Sequence, residues 1–172
     1  MIPKILVAGV GNIFLGDDGF GVEVVQRLMR DRLADNIKAV DFGIRGFDLA
    51  YALMEPYDAV ILVDALPRGD SPGTLYTVEP DLTSLETATP EEMNVETHGM
   101  NPMKVLAMVK AMGGQPTRLY LIGCEPEYPN QNETPERMGL SPPVALAVDE
   151  AVAMIHSLIE RISAKQQAVA AI

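Results

Sequence analysis

The stretch Gly9-Val10-Gly11-Asn12-Ile13-Phe14-Leu15-Gly16-Asp17-Asp18-Gly19-Phe20-Gly21 constrains this chain more than any other. It follows an unbroken aliphatic run, Ile5-Leu6-Val7-Ala8, of the kind that fills a strand covered on both faces. It leads into residues 22–33, where apolar side chains recur at helical spacing. The segment is therefore a strand-to-helix turn, rich in glycine and closed by two acids. Those acids have two possible uses. One is to cap the helix, the commoner role of an Asp just before a helix. The other is to face the crevice at the carboxyl end of an open α/β sheet, where such folds place their ligands.

The rest of the chain supports such a sheet. Residues 39–42 (Ala-Val-Asp-Phe) form a short second strand closed by Gly43, and residues 47–54 a short helix. Ala59-Val60-Ile61-Leu62-Val63, followed at once by Asp64, is a third strand whose lack of alternation predicts burial on both faces. A tight turn over residues 67–73 leads to a fourth strand at 74–78; so short a connection makes it antiparallel and places it at an edge. Residues 80–101 carry no periodic pattern. A helix then begins at Asn101-Pro102, turns Met103, Leu106, Val109 and Met112 toward the core, and stops at Gly113-Gly114. Leu119-Tyr120-Leu121-Ile122 is the last strand, and after a second irregular stretch at 125–139 the final helix starts behind Ser141-Pro142-Pro143 and runs to about Ile162. The expected fold is a three-layer α/β sandwich: a mostly parallel, twisted sheet of about five strands with helices on both faces. One domain, residues 1–172, accounts for the whole length, with 164–172 as a frayed tail.

Charge and cysteine usage narrow the function. A formal net charge of −11 argues against nucleic acid and against an anionic membrane surface, since both are drawn to Lys/Arg patches. The single cysteine, Cys124, leaves no disulfide framework and no thiolate zinc cluster, which suits a reducing cytoplasm. The N-terminus lacks a signal-peptide pattern, and no apolar run approaches the roughly 20 residues of a membrane span.

In a parallel sheet the carboxyl ends of the strands share one edge, and this chain sets an acid at three of them: Asp17 or Asp18, Asp41 and Asp64. Carboxylates gathered without a counter-ion are destabilising, so the arrangement calls for a cation or a shared proton. Arg45 and Arg68 lie nearby in sequence; a metal ion would serve better. The candidate third ligand is His98, in a polar turn at the entry to a helix, whereas His156 sits in an apolar helix and reads as structural. Two carboxylates and one imidazole with open positions suit Ni, Zn or Fe over Ca or Mg. Other chemistries find no support: the dinucleotide fingerprint, the P-loop, the serine nucleophile elbow and the zincin motif are all absent, and Cys124 reads as a small buried residue.

Gly9-Val10-Gly11-Asn12, Leu15, Asp17-Asp18-Gly19 and Gly21, then Asp41-Phe42-Gly43, Val63-Asp64-Ala65 and His98-Gly99, together resemble the maturation endopeptidases of nickel–iron hydrogenases. The resemblance extends from about residue 4 through Leu140-Ser141-Pro142 and the last helix. It implies a monomeric, aspartic-type endopeptidase of the cytoplasm that removes the C-terminal extension of a hydrogenase large-subunit precursor once nickel is inserted. The metal contacts it implies fall on Asp18, Asp64 and His98, with the nickel supplied by the substrate. Asp41 is then a candidate for orienting a water or a ligand, and the stretches 80–101 and 125–139 would contact the precursor. Two departures stand out: Asp18 occupies a position where Glu is common, and Ile44 follows Asp41-Phe42-Gly43 where Thr is familiar, so no role for a Thr hydroxyl carries over. Two alternatives stay open: a metallohydrolase with its own tightly bound metal, and a non-enzymatic phosphoacceptor receiver-like domain.

Overall fold

The computed structural model describes residues 2–80, 102–114, 118–127 and 138–170. In chain order these form β1 (Ile5–Val10), a 3-10 turn (Gly16–Gly19), α1 (Phe20–Leu28), β2 (Ile37–Gly43), α2 (Gly46–Leu53), β3 (Ala59–Ala65), β4 (Leu75–Val78), α3 (Pro102–Ala111), β5 (Leu119–Cys124) and α4 (Pro142–Ala170). The five strands make one sheet in the order β2-β1-β3-β5-β4. All neighbours pair in parallel except β4, which runs antiparallel to β5 at the edge. β4 thus has the expected direction and position, although β5 is inserted between it and β3.

Alternation along the central strands splits the core in two. Ile5, Val7, Ile61 and Val63 pack with Phe20, Val24, Val25 and Leu28 of α1 and with Val144, Ala151, Ile155 and Ile162 of α4. Leu6, Ala8, Val10, Val60 and Leu62 pack on the other side with Leu49 and Leu53 of α2 and with Val105, Leu106, Met108 and Val109 of α3. The expected three-layer sandwich is therefore present, with β1 and β3 as its buried centre.

Several boundaries differ from expectation. α1 ends at Leu28 rather than at residue 33, where Asp31 turns aside to bond Arg27 and His156, both at 3.1 Å; Leu33 still packs on the core from the connection that follows. Apolar spacing alone could not separate those two situations. Met112 lies beyond the end of α3 and is largely exposed, and Val105 and Met108 complete that helix's buried stripe instead. The side chain of Met103 lies outside the described residues. α4 continues past Ile162 to Ala170. Against the expectation drawn from run length, its segment Pro142–Gln166 is long and apolar enough by composition to cross a membrane. Val144, Ala147, Ala151, Val152, Ile155, Leu158, Ile159 and Ile162 of that segment are, however, buried in the core of this domain.

The layers meet most closely at Gly21 in the first turn of α1. A Cβ there would lie 2.0 Å from the carbonyl oxygen of Val63 and 2.4 Å from that of Val10. The helix rests directly on the backbone at the carboxyl ends of β1 and β3, and only a residue without a side chain fits. Gly21→Ala should cost about 3 kcal/mol or more of stability, the upper range of overpacking penalties. Urea unfolding measures it, and a loss below about 1 kcal/mol would show that this contact gives way easily.

Candidate active site

From β1 the chain moves outward to β2 on one side and then crosses to β3 on the other. The carboxyl ends of β1 and β3 are therefore the topological switch point, where a crevice opens between diverging connections. Asp18 follows β1 in the 3-10 turn, and Asp64 is the penultimate residue of β3. Both are partly exposed.

The turn that carries Asp18 is built by backbone and short polar contacts. Gly11, at φ +129°, donates its N–H to the carbonyl of Gly43 at 3.0 Å, tying the turn to the end of β2. A Cβ on Gly11 would fall 1.8 Å from the carbonyl oxygen of Asp18. The Asn12 side-chain oxygen accepts from the Phe14 N–H at 3.0 Å, and the Asn12 N–H donates to Asp18 Oδ2 at 2.7 Å. Among the described residues Asp64 accepts one hydrogen bond, from the N–H of Ala65 at 2.8 Å.

These two carboxylates are electrostatically uncomfortable. Burial pushes the Asp64 carboxyl well above the ordinary aspartate value, repulsion from Asp18 pushes it further, and the Ala65 amide only partly offsets them. Burial also raises Asp18, against the lowering effect of the Asn12 amide. The two cations nearest in sequence are engaged elsewhere. Arg45 pairs with Asp48 at 3.3 Å and donates to the carbonyl of Asp41, while the Arg68 guanidinium lies over the Tyr76 ring at 5.0 Å. A pair of close, desolvated carboxylates without a paired cation among the described residues fits a site made to receive a cation.

The other sequence candidates divide. Asp41 lies on β2, in register with Gly9, so β1 separates it from β3. Its carboxylate accepts from Gln26 Nε2 of α1 at 2.9 Å, so the structure does not gather it with Asp18 and Asp64. His98 lies outside the described residues, as do the greater parts of the stretches 80–101 and 125–139. His156 joins α4 to Asp31, a structural contact. Cys124 is buried, and its thiol is pushed up to about 12, by burial first and then by the charges of Asp17 and Glu125. A buried thiol held in the protonated form is a poor nucleophile.

Asp17 has neither role suggested for it by position. It makes no cap for its own turn. Its carboxylate reaches across the molecule and accepts from the N–H of Ser141 at 2.6 Å, the hydroxyl of Ser141 at 2.8 Å and the N–H of Glu127 at 2.8 Å. Ser141 begins α4, since its carbonyl accepts from the N–H of Ala145 at 2.8 Å. Glu125 is the acid that sequence reasoning passed over. Its buried carboxylate accepts from the N–H groups of Arg68 and Gly69 and from the Tyr76 hydroxyl, at 2.7, 3.1 and 2.7 Å. Burial would raise its pKa, but these bonds and one from the Asp70 amide outweigh that and hold it below the usual glutamate value. The only sequence signal for either tie was an acid closing a strand, and that does not identify a partner 124 residues away.

Known proteins resemble this chain in sequence and in fold. The family model described as hydrogenase maturation protease matches residues 22–158. The hydrogenase expression/formation protein HupD of Rhizobium leguminosarum bv. viciae is 38% identical over 125 residues, which is 72% of this chain but 60% of that protein's length. A putative hydrogenase maturation protease of Methanocaldococcus jannaschii is 33% identical over 162 residues, 91% of this chain and 97% of that one. Among solved structures, the hydrogenase maturating endopeptidase HybD from E. coli superposes with a TM-score of 0.70 at 28% identity, covering 92% of this chain and 93% of that one. A hydrogenase 2 maturation peptidase from a Thaumarchaeota archaeon gives a TM-score of 0.67 at 30% identity, covering 91% and 98%.

The raised pKa of Asp64 makes a signed prediction. A carboxyl whose folded pKa lies above its unfolded value costs stability as pH rises through the folded pKa, and costs nothing below the unfolded one, near 3.8. Asp64→Asn should therefore raise Tm at pH 7 by several degrees, 1 kcal/mol being worth about 2–4 °C at this size. The gain should vanish toward pH 3.8. Thermal melts across that range test it, and a variant less stable than the parent at pH 7 contradicts it.

Proposed function

The chain belongs to the hydrogenase maturation protease family, and on that footing we propose that it is an endopeptidase removing the C-terminal extension of a nickel–iron hydrogenase large-subunit precursor. The observation that carries this reading is the pair Asp18 and Asp64, set together at the switch point with raised pKa values and no paired cation among the described residues. That is an incomplete ligand set, and it suits a protease whose metal arrives with its substrate. In this reading Asp18, Asp64 and His98 complete the coordination of nickel carried by the precursor. Bound there, nickel supplies polarisation of the scissile carbonyl or of an attacking water. The chain's own task is to orient the loaded segment.

Other features agree with a protein-sized substrate handled this way. The Cys124 thiol, buried and held protonated, is a poor nucleophile, which is in keeping with hydrolysis by water. Phe14, Ile44 and Phe47, at the same edge as the two acids, are 61%, 47% and 56% exposed. Apolar groups offered to solvent beside a crevice suit contact with a macromolecule. Asp41, held by Gln26 at this rim, suits contact with the precursor better than orientation of a water at Asp64. The receiver-like alternative needs a lysine after β5 to hold a phosphoryl group. Glu125 stands there instead, fully engaged by backbone amides.

The test is to mix the purified chain with nickel-loaded and nickel-free precursor and follow loss of the C-terminal segment by mass. Cleavage of the loaded form alone is expected. Cleavage of both forms would favour a hydrolase with its own metal, and cleavage of neither would remove the endopeptidase reading. His98→Ala should abolish processing while leaving the circular dichroism spectrum and Tm unchanged; normal processing by that variant would take His98 out of the site.

A further inference from the structure

The two acids of the glycine-rich turn are neighbours in sequence, yet they lie in opposite environments. Asp17 is 4% exposed, and its two oxygens take three donors: Oδ1 the Ser141 N–H, and Oδ2 both the Ser141 hydroxyl and the Glu127 N–H. Both of its oxygens are buried and engaged by donors from elsewhere in the fold. Asp18 is partly exposed and, among the described residues, accepts one bond, from the N–H of Asn12. We propose that Asp17 is the positioning residue of this site: its fastening to Ser141 and Glu127 sets the rotation of the 3-10 turn and so aims Asp18 into the crevice beside Asp64. The inference rests on the reading of Asp18 and Asp64 as contacts for a divalent metal.

The reason is the geometry of the turn. A 3-10 turn has three residues per revolution, so adjacent side chains diverge by about 120°. Once Asp17 is drawn inward, Asp18 must project elsewhere, and the remaining direction is the crevice. Within the turn, the Asn12 N–H holds Asp18 Oδ2 at 2.7 Å and the Leu15 N–H bonds the Asn12 carbonyl at 3.0 Å, but these contacts are internal to the loop and do not refer it to the rest of the fold. The turn has no side-chain cap at its N-terminus, and its entry is a backbone bond from Asp18 N–H to the Leu15 carbonyl at 3.2 Å. The fastening of Asp17 is external and comes from two separate elements. Ser141 opens α4, a helix of 29 residues whose N-terminal partial positive charge favours a carboxylate. Glu127 lies three residues past the end of β5. Asp17 thus refers the orientation of Asp18 to the last strand and the last helix.

The test uses Ni2+ binding to the isolated full-length chain, read by competition with a chromogenic chelator and corrected for the folded fraction. Asp17→Asn keeps the size of the side chain but presents an N–H2 group to the donors at Oδ2. It should weaken Ni2+ binding about 10- to 100-fold, the range typical of groups that orient metal ligands. Ser141→Ala, which removes one donor of three, should weaken it by a smaller factor. Leu158→Ala is the comparator. Its buried side chain lies sixteen residues along α4 from the start of the helix, about 24 Å away, and its loss should lower Tm with Ni2+ affinity unchanged. Parental affinity in folded Asp17→Asn overturns the proposal, as does an equal loss in Leu158→Ala. Should Asp17→Asn not fold, Ser141→Ala decides, and parental affinity there overturns it. Asp18→Asn separates this inference from its premise: if that variant binds Ni2+ like the parent, the metal reading itself fails. If it loses binding and Asp17→Asn does not, only the positioning role fails.

Discussion

The site depends on how closely the backbone of the β1–α1 turn approaches the end of β3. α1 begins against the carbonyl oxygens of Val10 and Val63, with room at Gly21 for a hydrogen atom and nothing larger. Gly11 brings the same turn against the backbone of Asp18 and ties it to Gly43. These contacts bring the acid after β1 close to the acid in β3. A side chain at either glycine would lift the turn away from the sheet, and the two carboxylates would separate.

That closeness has an electrostatic consequence. Asp17, Glu125, Asp18 and Asp64 at this edge are all at least partly buried, and the structure treats them in two ways. Asp17 and Glu125 receive three or more hydrogen bonds each and are fully compensated. Asp18 and Asp64 accept one bond each among the described residues, burial raises the pKa of both, Asp18 adds to the cost of ionising Asp64, and they stand where a ligand would enter. Within one set of residues of the same chemical type, the compensated members build the frame and the uncompensated members form the candidate site. The domain tolerates that local instability because the sheet beneath it is covered on both faces by two separate apolar clusters.

The distinction was only partly legible in the sequence. Gly9-Val10-Gly11 after an aliphatic run, and Asp64 closing the most apolar strand, were enough to place Asp18 and Asp64 at one edge, because a parallel sheet aligns its carboxyl ends. Asp41 satisfied the same rule and was grouped with them, yet it lies beyond β1 and is bonded to Gln26. Position at an edge does not specify which neighbours a strand will have. The helix boundaries show the same limit. Leu33 continues the apolar spacing of α1 but meets the core from a loop, and Met112 continues that of α3 but faces solvent.

By itself the sequence determined the fold class, the order of elements, the glycine-rich turn and the set of acids from which a site is drawn, because hydrophobic periodicity and the steric freedom of glycine are local properties. The tertiary structure decided the roles of those acids. Asp17 is tied across the fold and Asp18 is left with the Asn12 amide alone among the described residues, because Ser141 and Glu127, more than a hundred residues later, arrive beside one of them and not the other. Glu125 is compensated because the turn after β3 folds its amides onto it. Hydrogen-bond donors for a buried carboxylate come from whatever the fold packs against it, and that is settled only when distant strands and helices are in place.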